Sequence, residues 1–468
     1  MLKSYGSFVL FCCFGLIPMA IAQVQTERGA LPIPPNLTGS VSTGQPTPET
    51  LPLSLLDAIE RGLKYNIGVV DSAQDIRATR AERLRALRDL LPDVRASLTA
   101  TGQQVNLAAF GFSGIPGLPS VIGPFATYDA RAFARQSVFD LNARRTLRAR
   151  EEDQKVVERS AADIREQVVL VVTGLYLQAV AGTSRIQSAA AQVTTAQALL
   201  KNAQDRKDAG TSPAIDVLRA QVQLQSLQQR QIFYEGDNQK QFLSLARAIG
   251  LPPGQKIVLT DPNITEPLPP ATLDEMLKSA YANRRDYQAA QAAVHAAELD
   301  KAAAHAEKYP TAEINGNYGT IGLTPWSQHG TFAVAGGINI PIFQGGKVEA
   351  DELAADATLK KRQAALENLR GQIDNEVRTA VIDTQNAFRQ VEVARSSIQL
   401  ARQQLTQSQD RFRAGVTNNL EVVQAQEAVA TADENLISSL FGYNIARATL
   451  VRAEGVAEQY LTTYLKGK

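Results

Sequence analysis

The sequence predicts a mostly α chain with some β: two long coiled-coil α-hairpins and four β-strands, set out as a tandem repeat. Three observations predict it. "DRKDAGTSPAIDVLRAQ" at 205–221 and "DRFRAGVTNNLEVVQAQ" at 410–426 are two versions of one stretch, 205 residues apart. Apolar residues recur every seven positions through 142–207 and again through 346–412. Four short stretches between the helical segments switch to a period of two.

The chain opens on an export signal over 1–22, with Lys3 as a basic n-region, "FVLFCCFGLIPMAIA" as the apolar region and Ala20-Ile21-Ala22 as the cleavage site. Its apolar run is short of the ~20 residues of a membrane span. Cleavage leaves Gln23 first and removes both cysteines, Cys12 and Cys13, so the mature chain has no thiol, disulfide or cysteine metal site. Val9-Leu10-Phe11 lack the small residue a lipid-modification site wants before Cys12. No other apolar run reaches ~18 residues, so entry into a membrane is not expected through helices.

Residues 23–50 are a Pro/Gly/Ser-rich leader, expected to be extended or disordered. The first repeat covers 51–250, as a helix over 53–91, a β-hairpin over 93–139 and a long α-hairpin over 142–250. A Pro-rich linker follows at 251–270. The second repeat covers 271–455, as a helix over 272–309, a β-hairpin over 311–342 and an α-hairpin over 345–453, before a tail at 456–468. With 48 Lys+Arg against 47 Asp+Glu, net charge shows no nucleic-acid footprint.

The repeat extends beyond the opening motif. Leu55, Asp57 and Pro92 match Leu273, Glu275 and Pro310 at an offset of 218, and after the β segments the offset falls to 204–205. The first half therefore holds 14 extra residues, 46 from Pro92 to Val138 against 32 from Pro310 to Ile342. They fall in "NLAAFGFSGIPGLPSVIGPF", whose Gly and Pro predict a loop. In the long helices Val172, Ala179, Ile186, Val193 and Leu200 alternate with Leu175, Gly182, Ala189, Ala196 and Ala203. Val377, Thr384, Val391, Ile398 and Leu405 alternate likewise with Ala380, Ala387, Ala394 and Ala401. A sustained heptad means coiled-coil packing, and the small row brings backbones close. Such a helix is ~100 Å long. Gly210 and Gly415 suit a left-handed C-cap, and Ser212-Pro213 reads as an N-cap with proline at the first helical position.

Period-two stretches start at Asp93 (Val94, Ala96, Leu98, Ala100 against Arg95, Ser97, Thr99, Thr101) and at Ala312 (with Ile314 and Tyr318 against Glu313, Asn315, Asn317). Phe332, Val334, Ile338 and Ile340 share one face, and over 128–139 Ala130, Ala132 and Ala134 oppose Asp129, Arg131 and Arg135. Two readings fit these hairpins: a half-buried sheet capping the helices, or strands spanning a bilayer, apolar outward. Export and the long arm favour the second. Four strands cannot close, and open edges are forbidden in lipid, so several chains must pool them; a trimer gives twelve strands and a closed pore. Trp326 with Tyr318 and Phe332 suits an interfacial aromatic girdle, and packing within a loop is the alternative reading.

In "RKDAGTSPAIDVLRAQ" and "RFRAGVTNNLEVVQAQ", and in "INIPIFQGGKVEA" at 338–350, the chain resembles the TolC-type outer-membrane efflux or secretion channels. The resemblance covers about 51–455. It implies long α-hairpins forming a periplasmic α-barrel, a trimeric 12-strand transmembrane β-barrel, and a passive exit duct in the bacterial outer membrane that is not an enzyme. It implies a periplasmic adaptor protein and an inner-membrane pump of RND, ABC or MFS type as partners, beside outer-membrane lipid. Adaptor-contacting tips would be Arg206, Gly210, Thr211, Ser212, Arg411, Gly415, Val416 and Thr417. The gate would involve Asp216 and Glu421, with Arg219 and Gln424 where some relatives carry a second acid. Lys207 departs from the pattern, standing where the other tip has Phe412.

Six such carboxylates in a trimer attract cations and suit a cation-selective, pH-sensitive gate. Arg219 is expected to pair with Glu421 of a neighbouring hairpin. The plainer alternative is that these acids meet the helix dipole, with Asn418 and Glu421 as a capping box. His295, His305 and His329 lack metal-ligand spacing and are expected at the surface, and no cofactor, phosphate-loop, nucleophile or zinc motif is present. The alternative function is a pore-less periplasmic coiled-coil adaptor or scaffold, but such a chain usually has one hairpin, not two with two strand pairs.

Overall fold

The computed structural model describes residues 37–111, 116–117, 119–261, 272–417 and 419–460. The expected signal (1–22), the first part of the leader, the Asn418–Glu421 capping box, most of the linker's second half and the end of the tail lie outside the described residues.

The first repeat runs β1 (Leu51–Leu53), α1 (Leu55–Tyr65), α2 (Ile67–Arg88), β2 (Asp93–Asn106), β3 (Val121–Phe139), α3 (Leu141–Asp208) and α4 (Ala214–Ala248). After β4 (Ile257–Leu259) the second runs α5 (Leu273–Asn283), α6 (Arg285–Ala306), β5 (Thr311–Thr324), β6 (Ser327–Asn339), α7 (Lys347–Arg413) and α8 (Asn419–Ala453). The long helices have 68 and 67 residues, and each return helix has 35.

Both heptad seams are buried where the helices meet. Val172, Ala179, Val193, Ala189, Ala196 and Ala203 are covered in α3, and Val377, Thr384, Val391, Ile398, Ala380, Ala394 and Ala401 in α7. The half of each long helix towards the tips packs on its return helix, α4 on α3 and α8 on α7. The half towards the sheet is met by α2 and α6. Contacts between α8 and α3 set the two hairpins side by side and leave α4 and α7 at the flanks. One window of α3 is apolar enough, by length and composition, to cross a bilayer, but 61% of it is buried inside the chain.

The helices expected over 53–91 and 272–309 are each broken, at Asn66 and Arg284, whose backbones are extended. The cause is tertiary. Gly250 and Gly455, with φ of 73° and 75°, end the return helices against these breaks, and a Cβ there would stand 2.7 Å from Tyr65 Cβ or Arg284 N. Asn66 caps Gly68 and donates to the Leu37 carbonyl at 2.7 Å, while Arg284 pairs with Asp286 and Glu376. At its inner end the described leader is tied down: Leu37 is buried and Val41 N–H donates to Tyr65 O at 2.9 Å, while 44–50 lie exposed. Part of the linker pairs too, β4 running parallel to β1.

This waist holds the largest core, with Leu53, Leu55, Ile59, Val168, Val172, Tyr176, Leu245 and Ile249. Each such side chain, fully buried, contributes ~1.5–3 kcal/mol. Tyr176 donates to Leu53 O at 3.1 Å, and burial pushes its pKa up to about 12. Beside it Arg452 of α8 bridges to Asp163 of α3 at 2.6 Å, and Glu166 accepts the Glu458 N–H at 3.2 Å. Burial raises both carboxyls above the usual carboxylate range.

At the other end stands a four-stranded antiparallel sheet, ordered β2-β3-β5-β6. The second strand is longer than the expected 128–139, and the 14 extra residues form the 107–120 connection between β2 and β3.

Candidate functional site: the hairpin tips and the sheet

Both tips turn by the same device. Gly210 N–H donates to Lys207 O at 2.9 Å and Thr211 N–H to Arg206 O at 2.9 Å; Gly415 and Val416 repeat this onto Phe412 O and Arg411 O at 3.1 and 3.0 Å. Each glycine is left-handed, with φ of 74° and 73°, which ends the helix and reverses the chain. Pro213 is the residue flanking α4 rather than its first helical residue, and the Ser212 hydroxyl donates instead to Asp216 at 2.7 Å.

The two acids are not equivalent. Asp216 is 5% exposed and held by Ser212 and, at 3.7 Å, by Arg219 on its own helix. Glu421 is half-buried and takes Thr417, Ser408 at 3.4 Å and Arg411 at 3.4 Å. The expected Arg219–Glu421 pair is thus not formed in the chain. A residue three positions on along one helix face is already beside Asp216, and Arg411 supplies Glu421. Gln424 is exposed.

Sequence reasoning missed what joins the tips. Phe412 is buried with Leu199 and Val422 between the hairpins, and the Arg206 guanidinium lies 4.5 Å over its ring while donating to its carbonyl at 2.6 Å. Asn419, fully buried, donates to the Asp216 carbonyl at 3.1 Å. The aromatic present in one tip but replaced by exposed Lys207 in the other was the available signal. Further up, Arg230–Glu427 at 2.9 Å and Arg185–Glu434 link hairpin one to α8 around a cavity of about 220 Å³. Tyr234 borders it, its pKa raised by burial.

The sheet has two chemically distinct faces. Leu98, Tyr318, Phe332, Val334 and Ile338 are at least 73% exposed on one, the expected outer face. On the other, Arg131 pairs with Asp129, and Arg135 donates to Glu313 at 2.9 Å. Phe133 sits there between Arg95 and Arg131, their guanidinium carbons 5.7 and 5.4 Å from its ring. Trp326, 94% exposed, occupies the β5–β6 turn, while Tyr318 and Phe332 face each other lower down. His295 and His305 lie beside Glu298 and Glu352, and no cluster of three metal-ligating side chains exists among the described residues.

The family model "outer membrane efflux protein" matches residues 59–251 and 276–456. The chain is 24% identical to the outer membrane protein OprJ of Pseudomonas aeruginosa over 92% of this chain and 91% of that one. It is 26% identical to the pyoverdine export outer membrane protein OpmQ of Pseudomonas putida, over 78% and 77%. Among solved structures, VceC of Vibrio cholerae superposes with a TM-score of 0.73 at 18% identity, over 86% of this chain and 96% of that one. The open-state MtrE channel of Neisseria gonorrhoeae gives 0.73 at 17%, over 89% and 95%. Family, fold and a sheet with an apolar exterior agree: the chain belongs to the outer membrane efflux protein family, as an export channel of the outer membrane reaching into the periplasm and not a pore-less scaffold.

Proposed function

We propose that three copies assemble into one duct, with twelve strands closed into a transmembrane barrel and the long hairpins forming a periplasmic α-barrel. The observation that carries this is the sheet: it presents an apolar face to its surroundings and has unpaired edges at β2 and β6, which lipid does not tolerate. The flanks support it. Ile215, Leu218, Val222, Ile232 and Phe233 of α4, and Ile382, Val393 and Leu400 of α7, are exposed at near-heptad spacing on the two outermost helices.

The duct is passive. A periplasmic adaptor docks on Arg206, Gly210, Thr211, Ser212, Arg411, Gly415, Val416 and Thr417, and an inner-membrane pump supplies the energy and selects the cargo. The efflux-pump wording in the names of relatives such as TtgC supports the pump partner. Asp216 and Glu421 act as the latch, Asp216 held within its own turn by Ser212 and Arg219, and Glu421 tying α8 to Ser408 and Arg411 of α7. Arg219 backs Asp216, and Gln424 faces solvent beside them.

Outer-membrane fractions are expected to yield trimers that dissociate only on heating, and the double variant Asp216→Ala/Glu421→Ala to conduct more than the parent in planar bilayers. Unchanged conductance removes the two acids from the gate. A stable, non-conducting monomer in detergent overturns the duct.

A further inference from the structure

The chain is a template for its own missing strand neighbours. Under the repeat β2 maps onto β5 at an offset of 218 and β3 onto β6 at 204, and the pairings obey it: Asp93↔Arg135 has its image in Thr311↔Asn339, and Gly102↔Ala126 in Thr320↔Gly330. The two halves meet at the β3–β5 seam, where Arg131 faces Gly319, Phe133 faces Asn317 and Arg135 faces Asn315. The free edges, β6 and β2, are the images of those two seam strands.

Building on the trimer reading above, we propose that β6 of one copy pairs antiparallel with β2 of the next in the register the central seam dictates. Asn339 then stands opposite Ser97 of the neighbouring copy, Gly337 opposite Thr99 and Ala335 opposite Thr101. Side-chain size is shared out accordingly. On the polar face of the central seam the large residues are on β3, and a Cβ on Gly319 would stand 2.1 Å from Ala130 O and 2.8 Å from Arg131 Cγ. At the outer seam Ala335 and Gly337 are the small partners, and Gly336 and Gly337 have open space where a Cβ would lie.

The polar contacts differ between the seams. Arg135 reaches diagonally to Glu313 within the chain. The images of these residues are Asn339 and Arg95. Arg95 rests on the Phe133 ring, and no carboxylate is paired with it among the described residues. Across the outer seam Arg95 donates to the side-chain carbonyl of Asn339 of the neighbouring copy. The central seam is therefore crossed by an ion pair, and the seam between copies by a hydrogen bond from a charged guanidinium to a neutral amide.

The pair Thr99→Cys with Gly337→Cys, oxidised in the outer membrane, is expected to give covalently linked multimers on a non-reducing gel. Thr99→Cys with Ala335→Cys is not, because diagonal strand neighbours stand ~7–8 Å apart, beyond ordinary disulfide reach. Linked multimers from the second pair alone overturn the register while the trimer stands. Heat-dissociable trimers without a cross-link from either pair do the same. The absence of any trimer overturns both readings. As a second readout, Asn339→Asp is expected to raise the temperature at which the trimer dissociates, less so in high salt, and to lose that effect in an Arg95→Ala background. An unshifted temperature with Arg95 present overturns the Arg95–Asn339 contact.

Discussion

Glu166 stands at the waist with 6% of its surface exposed, facing Arg452 from α8 and the backbone N–H groups of Ala457 and Glu458, while Arg165 beside it binds Glu458. Burial outweighs these partners and raises its folded pKa above the unfolded value. The sign follows from linkage. The native state binds the proton more tightly, so this group's contribution is fully present below the unfolded pKa and is lost as pH rises through the raised folded value. Glu166→Gln keeps an acceptor for the same N–H groups without the charge. Its thermal midpoint in detergent is expected to gain on the parent as pH rises from acid to neutral; a gap independent of pH refutes it. None of this was legible in the sequence, since Asp163 and Glu166 sit on a helix crowded with ordinary surface acids, and it is the end of α8 and the segment after it that cover them. Asp216 shows the converse. Its place one turn past a glycine was readable, but its choice of Arg219 over a neighbour was decided by which guanidinium the helix face already held.

Within the first α-hairpin the seam residue Gly182 lies directly under the amide ends of two α4 side chains. A Cβ there would lie 2.3 Å from Asn238 Oδ1 and 2.4 Å from Gln241 Oε1, both buried oxygens. Gly182→Ala is expected to destabilise the hairpin by about 1–3 kcal/mol in chemical denaturation, as overpacking does. Adding Asn238→Ala should recover part of the loss; no recovery removes the steric explanation. The small row of the heptad announced a close approach at this position, and both long helices were legible for the same reason: sevenfold apolar spacing unbroken by proline. The amides opposite Gly182 were not, because polar residues on α4 read as solvent-facing until the partner helix is placed. Nor were the breaks at Asn66 and Arg284, since Gly250 and Gly455, which pack against them, lie 184 and 171 positions further along the chain.

For the molecule as a whole, the flanking stripes set the test of assembly. Phe233 is 67% exposed in the single chain, so Phe233→Glu should leave helix content intact by circular dichroism yet abolish the heat-dissociable trimer. Persisting trimers would place the contact between copies elsewhere. The need for partner chains was already legible in four alternating strands, too few to close in lipid.

The connection at 107–120 has a consequence of its own. Only one of the two β-hairpins bears it, so a threefold assembly would display three crests and three gaps, halving the near-sixfold symmetry at that rim. The described residues of the connection carry none of the wall's strand pairing, so its chemistry can change without disturbing the passage beneath. What antibodies or phages would meet outside is thereby uncoupled from what the cargo meets within.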